Sequence, residues 1–572
     1  MIEDVYEPLE EYRKVFRDRF STLAKEKFKE LTVLSKVDVV ANRGEVKIIR
    51  KLESALRRAK LWRFLIGFLM LVSFAGAVAA VVAEFAEGFL EGSQVWQVAA
   101  GGAAALALGI WMIFVYRRSS AKVKALESEL EEAMKRAWAQ MAPLNELYTW
   151  DMTVSLIEKT VPRLEFDKFF SAKRLEDLSR IYDWDDSFND GKSITFAQSG
   201  VINGNPFVLG EYLTMKWGEK TYEGTKTISY YVTERDEKGR SHRVRRTEVL
   251  HAYVTKPIPV YYNDKVLLYG NDAAPNLTFT HEPSGLDDQD IFDGIRERMR
   301  LRELKKKSRN LDDDSNFTLM TNHEFEAWFK ADDRNDEVEF RLLFTALAQT
   351  QMMALMKDLK TGYGDDFVFA KDRKINYLKP RHLDDLELET DPAIFRSWDY
   401  DAAKKKFQEY NENYFRAVYF ALAPVLAIPL YQQTRTHEDI WKGVIAGESS
   451  SFWEHESMAN CYGDECFKHP SAITPSILKT RVVRRVGSVS DVVVTAYGYK
   501  GIKQVDYEDV YGGDGKWHSV PVEWTEYLPV ERSSGMQLSE SPSPSADFTA
   551  SYKESRAALY RRTIYSYLQS LT

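Results

Sequence analysis

Cysteine is almost absent from this sequence, which has two, Cys461 and Cys466, among 572 residues. So few thiols exclude a disulfide framework. An excess of basic residues is also missing, because 78 Lys and Arg stand against 86 Asp and Glu, for a formal net charge of −8. This balance argues against wholesale nucleic-acid binding, which favours strongly basic domains.

Short catalytic and nucleotide-binding motifs are lacking as well. The sequence contains no G-x-x-x-x-G-K-[ST], no G-x-S-x-G, no H-E-x-x-H and no G-x-G-x-x-G that opens a helix after a strand. We therefore assign no catalytic, cofactor-binding or metal-ligating residue, expect no cofactor, and favour a protein that is not an enzyme.

Two long apolar runs, Phe64 to Ala83 and Val95 to Tyr116, contain no ionisable residue. A helix that rises roughly 1.5 Å per residue would cross a hydrocarbon core about 30 Å thick within either run. The sequence thus predicts a transmembrane hairpin with spans 64–83 and 95–116. A conduction path is disfavoured, because Ser73 and Gln97 are the polar residues of the spans.

The charges beside the spans predict their orientation. The loop between them carries Glu84, Glu87 and Glu91 and no basic residue, whereas basic residues cluster on the far side of both spans. By the positive-inside rule both termini are cytoplasmic, and we expect a multi-pass protein of the plasma or inner membrane. The basic residues are Lys47, Arg50, Lys51, Arg57, Arg58, Lys60 and Arg63 before the first span, and Arg117, Arg118, Lys122 and Lys124 after the second.

Small residues are frequent in both spans, over 75–80 and 99–105. They allow close helix approach inside the hairpin or between subunits, so the bilayer and a second copy of the chain are both expected partners. Apolar residues at helical spacing flank the hairpin, as at Tyr12, Phe16 and Phe20. They favour a helical stalk in the cytoplasm, and the alternative is a basic amphipathic N-terminus that lies on anionic lipid.

The remaining chain predicts an α+β fold, with a strand-rich cytoplasmic body of two antiparallel lobes joined by helices. The predicted segments are an N-terminal cytoplasmic helical region (1–63), the transmembrane hairpin (64–116), a helical stalk (117–182), a first β-rich lobe (183–283), a helical and hairpin region (284–435) with a buried helix (338–359), a second β-rich lobe (436–535), and a Pro/Ser linker with a terminal helix from Tyr552 to Leu571 (536–572).

A polar insert, DEKGRSHRVRR, separates two predicted strands of the first lobe, and Gly239 suits its turn. Its basic residues could contact phosphates or lipid headgroups, but a solvated hairpin end is the simpler interpretation. These residues are Arg240, His242, Arg243, Arg245 and Arg246.

A distinctive block follows, with Glu324, Phe325 and Phe329, an acidic turn at Asp332-Asp333, the helix start Glu339, Leu342 and Leu343, and a hairpin from Phe367 to Leu378. In these positions the sequence resembles an uncharacterised bacterial family of two-span membrane proteins, filed as a domain of unknown function. The resemblance covers about residues 50 to 400, including SGVINGNPFVLGE, and departs at Phe344-Thr345-Ala346, where Leu-Thr-Pro is common. It implies a bacterial inner or plasma membrane location and supplies no activity.

The stretch 417–431 is apolar but contains Pro424 and Pro429. It is short for a third span, and the prolines favour a buried, kinked helix.

Four thiol and imidazole side chains lie within WEHESMANCYGDECFKHP, residues 453–470. These are zinc-ligand types, but the C-x4-C spacing and the early histidine fit zinc poorly, and the alternative is two free thiols at a domain junction. The four residues are His455, Cys461, Cys466 and His469.

Three functional hypotheses follow. The favoured one is a membrane-anchored cytoplasmic scaffold that binds a protein partner, since a large folded body lacks site chemistry. The alternatives are a metalloprotein or enzyme that uses the 453–470 cluster, and an accessory subunit of an oligomeric envelope or transport assembly.

Overall fold

The computed structural model describes residues 5–85, 92–235, 240–286, 293–309, 317–435, 449–541, 544–555 and 557–569. The chain divides into a helical unit, Ser21–Thr149 and Asp391–Asn411, and a β-rich unit, Met1–Phe20, Trp150–Thr390 and Glu412–Thr572. It is a mixed helix and sheet protein with two long apolar helices and two antiparallel sheets. This confirms the predicted mixture of helices and antiparallel strands.

The helices vary widely in length, and two of them far exceed the others. In chain order they are α1 Pro8–Glu11, α2 Arg17–Ser35 (joined to α1 by the π-helical turn Tyr12–Phe16), α3 Val39–Phe85, α4 Gly92–Asn145, α5 Met152–Thr160, α6 Ala172–Tyr182, α7 Asp293–Lys307, α8 His323–Phe329, α9 Glu337–Leu343, α10 Ala346–Lys357, α11 Tyr400–Leu426, α12 Pro429–Gln433, α13 Phe452–Cys461 and α14 Ala546–Glu554.

The strands form two sheets in which every pairing is antiparallel. Sheet 1 has the order β1-β2-β3-β4-β7-β6-β5, and sheet 2 the order β11-β12-β10-β9-β8. The strands are β1 Leu164–Phe166, β2 Lys192–Ile202, β3 Asn205–Arg235, β4 Ser241–Gly270, β5 Thr278–His281, β6 Phe367–Asp372, β7 Ile375–Pro380, β8 Ile477–Val486, β9 Val489–Tyr511, β10 Trp517–Ser539, β11 Ala558–Arg561 and β12 Ile564–Gln569.

In the helical unit, α3 and α4 pack antiparallel. Early residues of α3 contact late residues of α4, as in the pair Glu45 and Arg136, and the order reverses along the helices to Lys60 and Glu127, 2.9 Å apart. Ile49, Ala133 and Ala137 form a small core beyond the apolar runs. The stalk predicted over 117–182 is helical in this unit only to the end of α4 at Asn145, because the chain from Trp150 belongs to the β-rich unit and includes strand β1.

Each of these two helices contains a stretch long and apolar enough to cross a membrane, within Val39–Val82 and Ala100–Asn145, with mean hydropathies of 2.5 and 1.5. Small residues bring the stretches together. A Cβ at Gly102 would lie 2.7 Å from the Ala80 Cβ, and the Ser73 hydroxyl donates to the Ala105 carbonyl at 2.5 Å. The predicted loop residues Glu87 and Glu91 lie outside the described residues.

The helical unit also includes the segment around Asp399. Arg50 and Asp399 pair at 3.0 Å, and Arg43 forms two hydrogen bonds with Asp401. Phe28 packs on Phe407 within the same unit, with ring centroids 5.6 Å apart. These contacts hold the beginning of α3 and the segment 399–407 in a fixed arrangement.

The N-terminal apolar face belongs to protein packing rather than to lipid. Tyr12, Phe16 and Phe20 are at most 3% exposed. In the β-rich unit Tyr12 stacks on Tyr419, and the Tyr419 hydroxyl donates to the Pro8 carbonyl at 2.8 Å. The alternative of an N-terminus that lies on lipid through this face is therefore wrong.

The stretch 417–431 is a buried, kinked helix, as its prolines predict. Pro424 lies inside α11, Pro429 begins α12, and Val425 to Ile428 are at most 1% exposed. The Tyr431 hydroxyl donates to Asn376 Oδ1 at 2.6 Å in the core of the β-rich unit.

Two helix predictions were wrong. The helix expected over 338–359 is two helices, α9 and α10, because the Thr345 hydroxyl caps α10 and its extended backbone (ψ 169°) ends the first helix. The helix expected from Tyr552 to Leu571 is α14 followed by the hairpin β11–β12. The turn places Arg562 at φ 55°, and Ile564, Ser566 and Tyr567 are buried on sheet 2, so strand pairing replaces the helix.

Candidate interaction arm

Two long β-ribbons extend from the sheets of the β-rich unit. In the described residues β3 pairs with β2 only over Asn205–Thr214, and β4 pairs with β7 only over Leu267–Gly270, so β3 and β4 continue as a two-stranded ribbon. We call residues 215–235 and 241–262 ribbon 1. Residues 498–511 and 517–530, which continue β9 and β10 beyond their other partners, are ribbon 2.

Prolines lie inside two of these long strands. Pro257 separates the predicted strands 247–255 and 258–270, which β4 joins, while Pro259 also lies inside β4 and Pro521 inside β10. Proline has no N–H to donate, so it is tolerated where that side of the strand faces outward. All three prolines lie where their strand has a partner on one side only, and the pairing continues through them.

The inner faces of the ribbons pack on each other. At this contact, residues with even numbers point inward from both ribbons, and Ile228, Leu250 and Ala252 contact Val520 and Val522. All five are at most 8% exposed, and Tyr222, Tyr230, Val254 and Val510 surround them. Ribbons 1 and 2 together therefore form one structure with its own thin core, which we call the arm.

Charge complementarity adds to this apolar contact. Lys256 of ribbon 1 pairs with Asp506 of ribbon 2 at 2.5 Å, and its ammonium lies 4.4 Å from the centroid of the Trp524 ring. The hydrogen bond from Lys256 lowers the pKa of the Asp506 carboxyl below its usual value. Both groups are partly exposed, so the pair contributes to register more than to stability.

Two glycines allow the ribbons to approach closely. A Cβ on Gly224 would lie 2.1 Å from the Pro521 carbonyl oxygen, and one on Gly513 would lie 2.2 Å from the Tyr230 hydroxyl. The Gly513 N–H donates to Glu248 Oε2 at 2.8 Å. Ribbon 2 therefore turns beside Tyr230 and Glu248, and ribbon 1 continues past it.

The outer face of ribbon 2 carries large exposed side chains. Tyr511 and Trp517 pair across the strands with ring centroids 5.4 Å apart, and Tyr507 lies opposite Pro521. Val505, Tyr507, Tyr511 and Trp517 are 45%, 68%, 58% and 69% exposed. We call these four residues the aromatic strip. Asp509 and Ser519 lie on the same face between Tyr507 and Tyr511, so the strip alternates apolar and polar groups. Exposed tyrosine and tryptophan side chains are enriched at protein interfaces.

The basic residues predicted at the hairpin end occupy the part of ribbon 1 beyond the turn of ribbon 2. Strand alternation places Arg243 and Arg245 on the face of Tyr231, which is 65% exposed, and His242 and Arg246 on the opposite face. Arg246 pairs with Glu234, and Arg245 donates to the Ser229 hydroxyl at 3.3 Å. We call Arg240, His242, Arg243, Arg245 and Arg246 the basic tip; Gly239 lies outside the described residues.

The structure does not bring the four Cys and His side chains of 453–470 together. His455 Nε2 lies 3.0 Å from Ser450 Oγ, His469 Nδ1 accepts from Ser471, and Cys466 Sγ donates to the Tyr462 carbonyl. Cys461 and Cys466 are both exposed free thiols. Across the described ranges, no group of three or more His, Cys, Asp or Glu is arranged to hold a metal ion.

The hydrogen bond between His455 and Ser450 runs in the wrong direction for nucleophilic catalysis. The Ser450 hydroxyl donates to Glu540 Oε1 at 2.6 Å, so the imidazole must donate its Nε2–H to the serine oxygen. Burial lowers the pKa of His455 to about 4, which keeps the ring neutral at pH 7. A general base would have to accept the serine proton instead.

The helix in this segment has a structural role. Trp453 of α13 lies in the core of sheet 1, and Met458 lies in the core of sheet 2. Between them the buried Glu456 accepts from the Ile194 N–H at 3.0 Å and pairs with Lys479 at 2.9 Å. α13 thus connects the two sheets of the β-rich unit.

The residues that carry the family resemblance also pack or brace the fold. Phe325 stacks on Phe329 with centroids 5.1 Å apart, and Glu339 accepts two hydrogen bonds from Asn276. Asp333 accepts from the Thr280 N–H at 2.8 Å. These contacts fix β5 at the edge of sheet 1 and supply no reactive group.

A buried lysine, which sequence reasoning missed, lies in the same sheet. Lys371 is 2% exposed, its Nζ has no hydrogen-bond partner among the described residues, and the Tyr431 ring is 5.5 Å away. Burial lowers the pKa of this amine to about 7. Lys371 follows Phe367 and Phe369 at every second position of β6, and this spacing could have predicted that its side chain faces the core.

The arm thus combines exposed aromatic groups on ribbon 2 with exposed basic groups at the end of ribbon 1. No family model, no curated protein and no solved structure matches the chain, and the resemblance to the two-span membrane family stays a prediction.

Proposed function

We propose that this protein is anchored in the plasma or inner membrane by the hairpin of α3 and α4, with both termini in the cytoplasm, and that its arm binds a protein partner there. Basic residues from Lys47 to Arg63 and from Arg117 to Lys124 support this orientation. We assign the hairpin the role of an anchor rather than of a conduction path. The hydroxyl of Ser73, a polar residue of the spans, donates to the Ala105 carbonyl.

The aromatic strip is the observation that carries the proposal. Tyr and Trp supply large contact areas at low cost in side-chain entropy, and they are enriched where protein interfaces hold most of their energy. Tyr507, Tyr511 and Trp517 are each more than half exposed although the inner face of the same ribbon is buried. The partner should therefore present an apolar surface to the strip and acidic groups toward the basic tip.

Photocrosslinking in intact cells tests this proposal. A photoreactive phenylalanine at Tyr507 or Tyr511 should capture one protein at high yield, and the same probe at Thr221, on the outer face of ribbon 1, should not. Affinity purification from membranes should recover that protein in stoichiometric amount.

Matched substitutions complete the experiment. Trp517→Ser should lower recovery of the partner at least about tenfold, the loss expected of an interface anchor. Thr255→Ser, on the arm but outside the strip, should leave recovery unchanged. Equal recovery with both variants, or no stoichiometric protein with the unmodified chain, would refute the proposal.

A further inference from the structure

A cleft opens between α3 and α4 at the end of the predicted spans that the proposed orientation places in the cytoplasmic leaflet. It has a volume of about 410 Å³, within the range of small-molecule sites. Its walls combine the apolar Phe64, Phe68 and Tyr116 with the basic Lys60 and Arg63. Lys60 and Arg63 precede Phe64 and Phe68 along α3, so the basic residues lie toward one end of the cleft.

A glycine contributes to the opening. Gly67 faces the Tyr116 ring, where a Cβ would lie 3.4 Å from Cε2, an ordinary contact distance. Gly67 lines the cleft, so a larger side chain at this position would occupy part of its volume. Phe64 and Phe68 are 71% and 57% exposed, so these walls are accessible among the described residues.

Positive charge predominates at the end of the cleft with the basic residues. Lys60 pairs with Glu127 at 2.9 Å, with both side chains about half exposed. Lys60, Arg63 and Lys124 together lower the pKa of the Glu127 carboxyl. Lys60 forms the ion pair with Glu127, and Arg63 and Lys124 add positive charge near it. An anion with an apolar tail would complement both the basic residues and the apolar walls of the cleft.

We propose that this cleft binds one anionic phospholipid, with its phosphate at Lys60 and Arg63 and an acyl chain along Phe64, Gly67 and Phe68. The proposal rests on the membrane anchoring in the proposed function and extends it to a specific lipid class. Basic side chains at this depth extend to the headgroup level while their stems remain in apolar surroundings. A free phosphate would use the cations alone and leave the apolar walls unmatched.

Lipid titration of the full chain in mild detergent tests the site, with native mass spectrometry counting bound molecules. Phosphatidylglycerol should bind in one copy and more tightly than phosphatidylcholine with the same acyl chains. Arg63→Gln should weaken phosphatidylglycerol binding about fivefold, the factor that corresponds to about 1 kcal/mol for one basic residue near the membrane surface. Gly67→Leu, which fills the cleft, should abolish the single bound copy.

The helix offers matched controls. Arg58→Gln removes a nearby charge outside the cleft, and Gly76→Leu adds the same side chain where a Cβ meets nothing within 4 Å. Both should bind phosphatidylglycerol as the unmodified chain does. Equal losses from Arg63→Gln and Arg58→Gln, an unchanged Gly67→Leu variant, or displacement of the lipid by millimolar inorganic phosphate would each overturn the site.

A second measurement separates this site from the anchor itself. The unmodified chain, Arg63→Gln and Gly67→Leu should all remain in phosphatidylcholine vesicles after an alkaline carbonate wash. If the unmodified chain is washed off, the membrane anchor fails and the lipid site fails with it. If the chain is retained without a preference for phosphatidylglycerol, the lipid site alone is refuted.

Discussion

The strands β3 and β4 are buried on both faces at one end and on one face at the other. At the sheet end, Phe207, Val208 and Leu209 are at most 2% exposed, and a Cβ on Gly210 would lie 2.7 Å from the Trp453 ring. Along ribbon 1 only alternate residues such as Ile228 are buried, and their neighbours face solvent. A ribbon depends on one thin core and a few close contacts, so it should open locally while the sheet remains folded.

Truncation in the sheet core should produce the largest effect. Trp453 is fully buried between Phe170 and Trp184, with ring centroids 5.6 Å from each. Trp453→Ala should destabilise the β-rich unit by about 3–5 kcal/mol, because it leaves a large cavity. The melting temperature of the purified protein should fall, whereas Trp517→Ser on the arm should leave it unchanged. An equal fall for both variants would contradict the comparison.

Crowding at the contact between ribbons should have the next largest effect, confined to the arm. Gly224→Val places a side chain where the Pro521 carbonyl lies, and the ribbons must separate at a cost of about 1–3 kcal/mol. Amide hydrogen exchange should accelerate over 215–262 and 498–530 and stay unchanged in β2. Thr221→Val, on the outer face, is the control. Uniformly faster exchange across both sheets would show that the arm is not a separate cooperative element.

Removal of the buried amine should stabilise the sheet end. The pKa of Lys371 is lowered in the folded state, so the unfolded state binds more protons above pH 7, and stability rises as pH increases from about 7 toward the ordinary lysine value. Lys371→Met should therefore raise the melting temperature most at neutral pH. The gain should shrink by about 1.4 kcal/mol for each pH unit above 7. A gain that does not depend on pH would contradict a neutral buried lysine.

A smaller gain is expected at the helix break beside the sheet end. Ala346 is the first residue of α10, and Thr345 before it has φ −60° and ψ 169°, which suits a residue that precedes proline. Ala346→Pro should stabilise by about 0.4–1 kcal/mol, because proline restricts the unfolded chain without removing a helix hydrogen bond. Gln349→Pro, inside α10, should instead lower the melting temperature sharply. A loss with Ala346→Pro would show that the break is not a helix start.

The smallest effect is expected from the ion pair of the arm. Lys256→Met keeps the side-chain stem on Trp524 but removes the charge opposite Asp506. The stability change should be below about 1 kcal/mol and should vanish at high salt, since both groups are partly exposed. A melting temperature that falls by many degrees would assign the pair a larger role than its exposure allows.

Local sequence patterns predicted the helices and strands better than they predicted which segments pack or pair with each other. The two long helices follow from uninterrupted apolar runs, and the strand segments follow from β-branched and aromatic residues. The break at Thr345 was missed because residues 338–359 keep an apolar helical pattern on both sides of a capping hydroxyl. The last strands were missed because YRRTIYSYL alternates only across the turn at Arg562, and its partner β10 lies beyond the Pro/Ser linker and α14.

The candidate site was less predictable than the fold. The basic tip was found from composition, but the aromatic strip was not, because an exposed tyrosine and a core tyrosine look alike until the inner face is known. The Cys and His cluster was the opposite case, because residues close in sequence proved to have separate partners. His455 contacts Ser450, and Cys466 donates to the Tyr462 carbonyl.

The sequence by itself determined the two apolar helices, the charges beside them and the strand-forming segments, since each depends on residues close together along the chain. Only the tertiary structure decided that two ribbons pair at Gly224, that α13 connects two cores, and that Tyr507 and Trp517 remain exposed. Those outcomes depend on contacts between segments hundreds of residues apart, for which local spacing carries no signal.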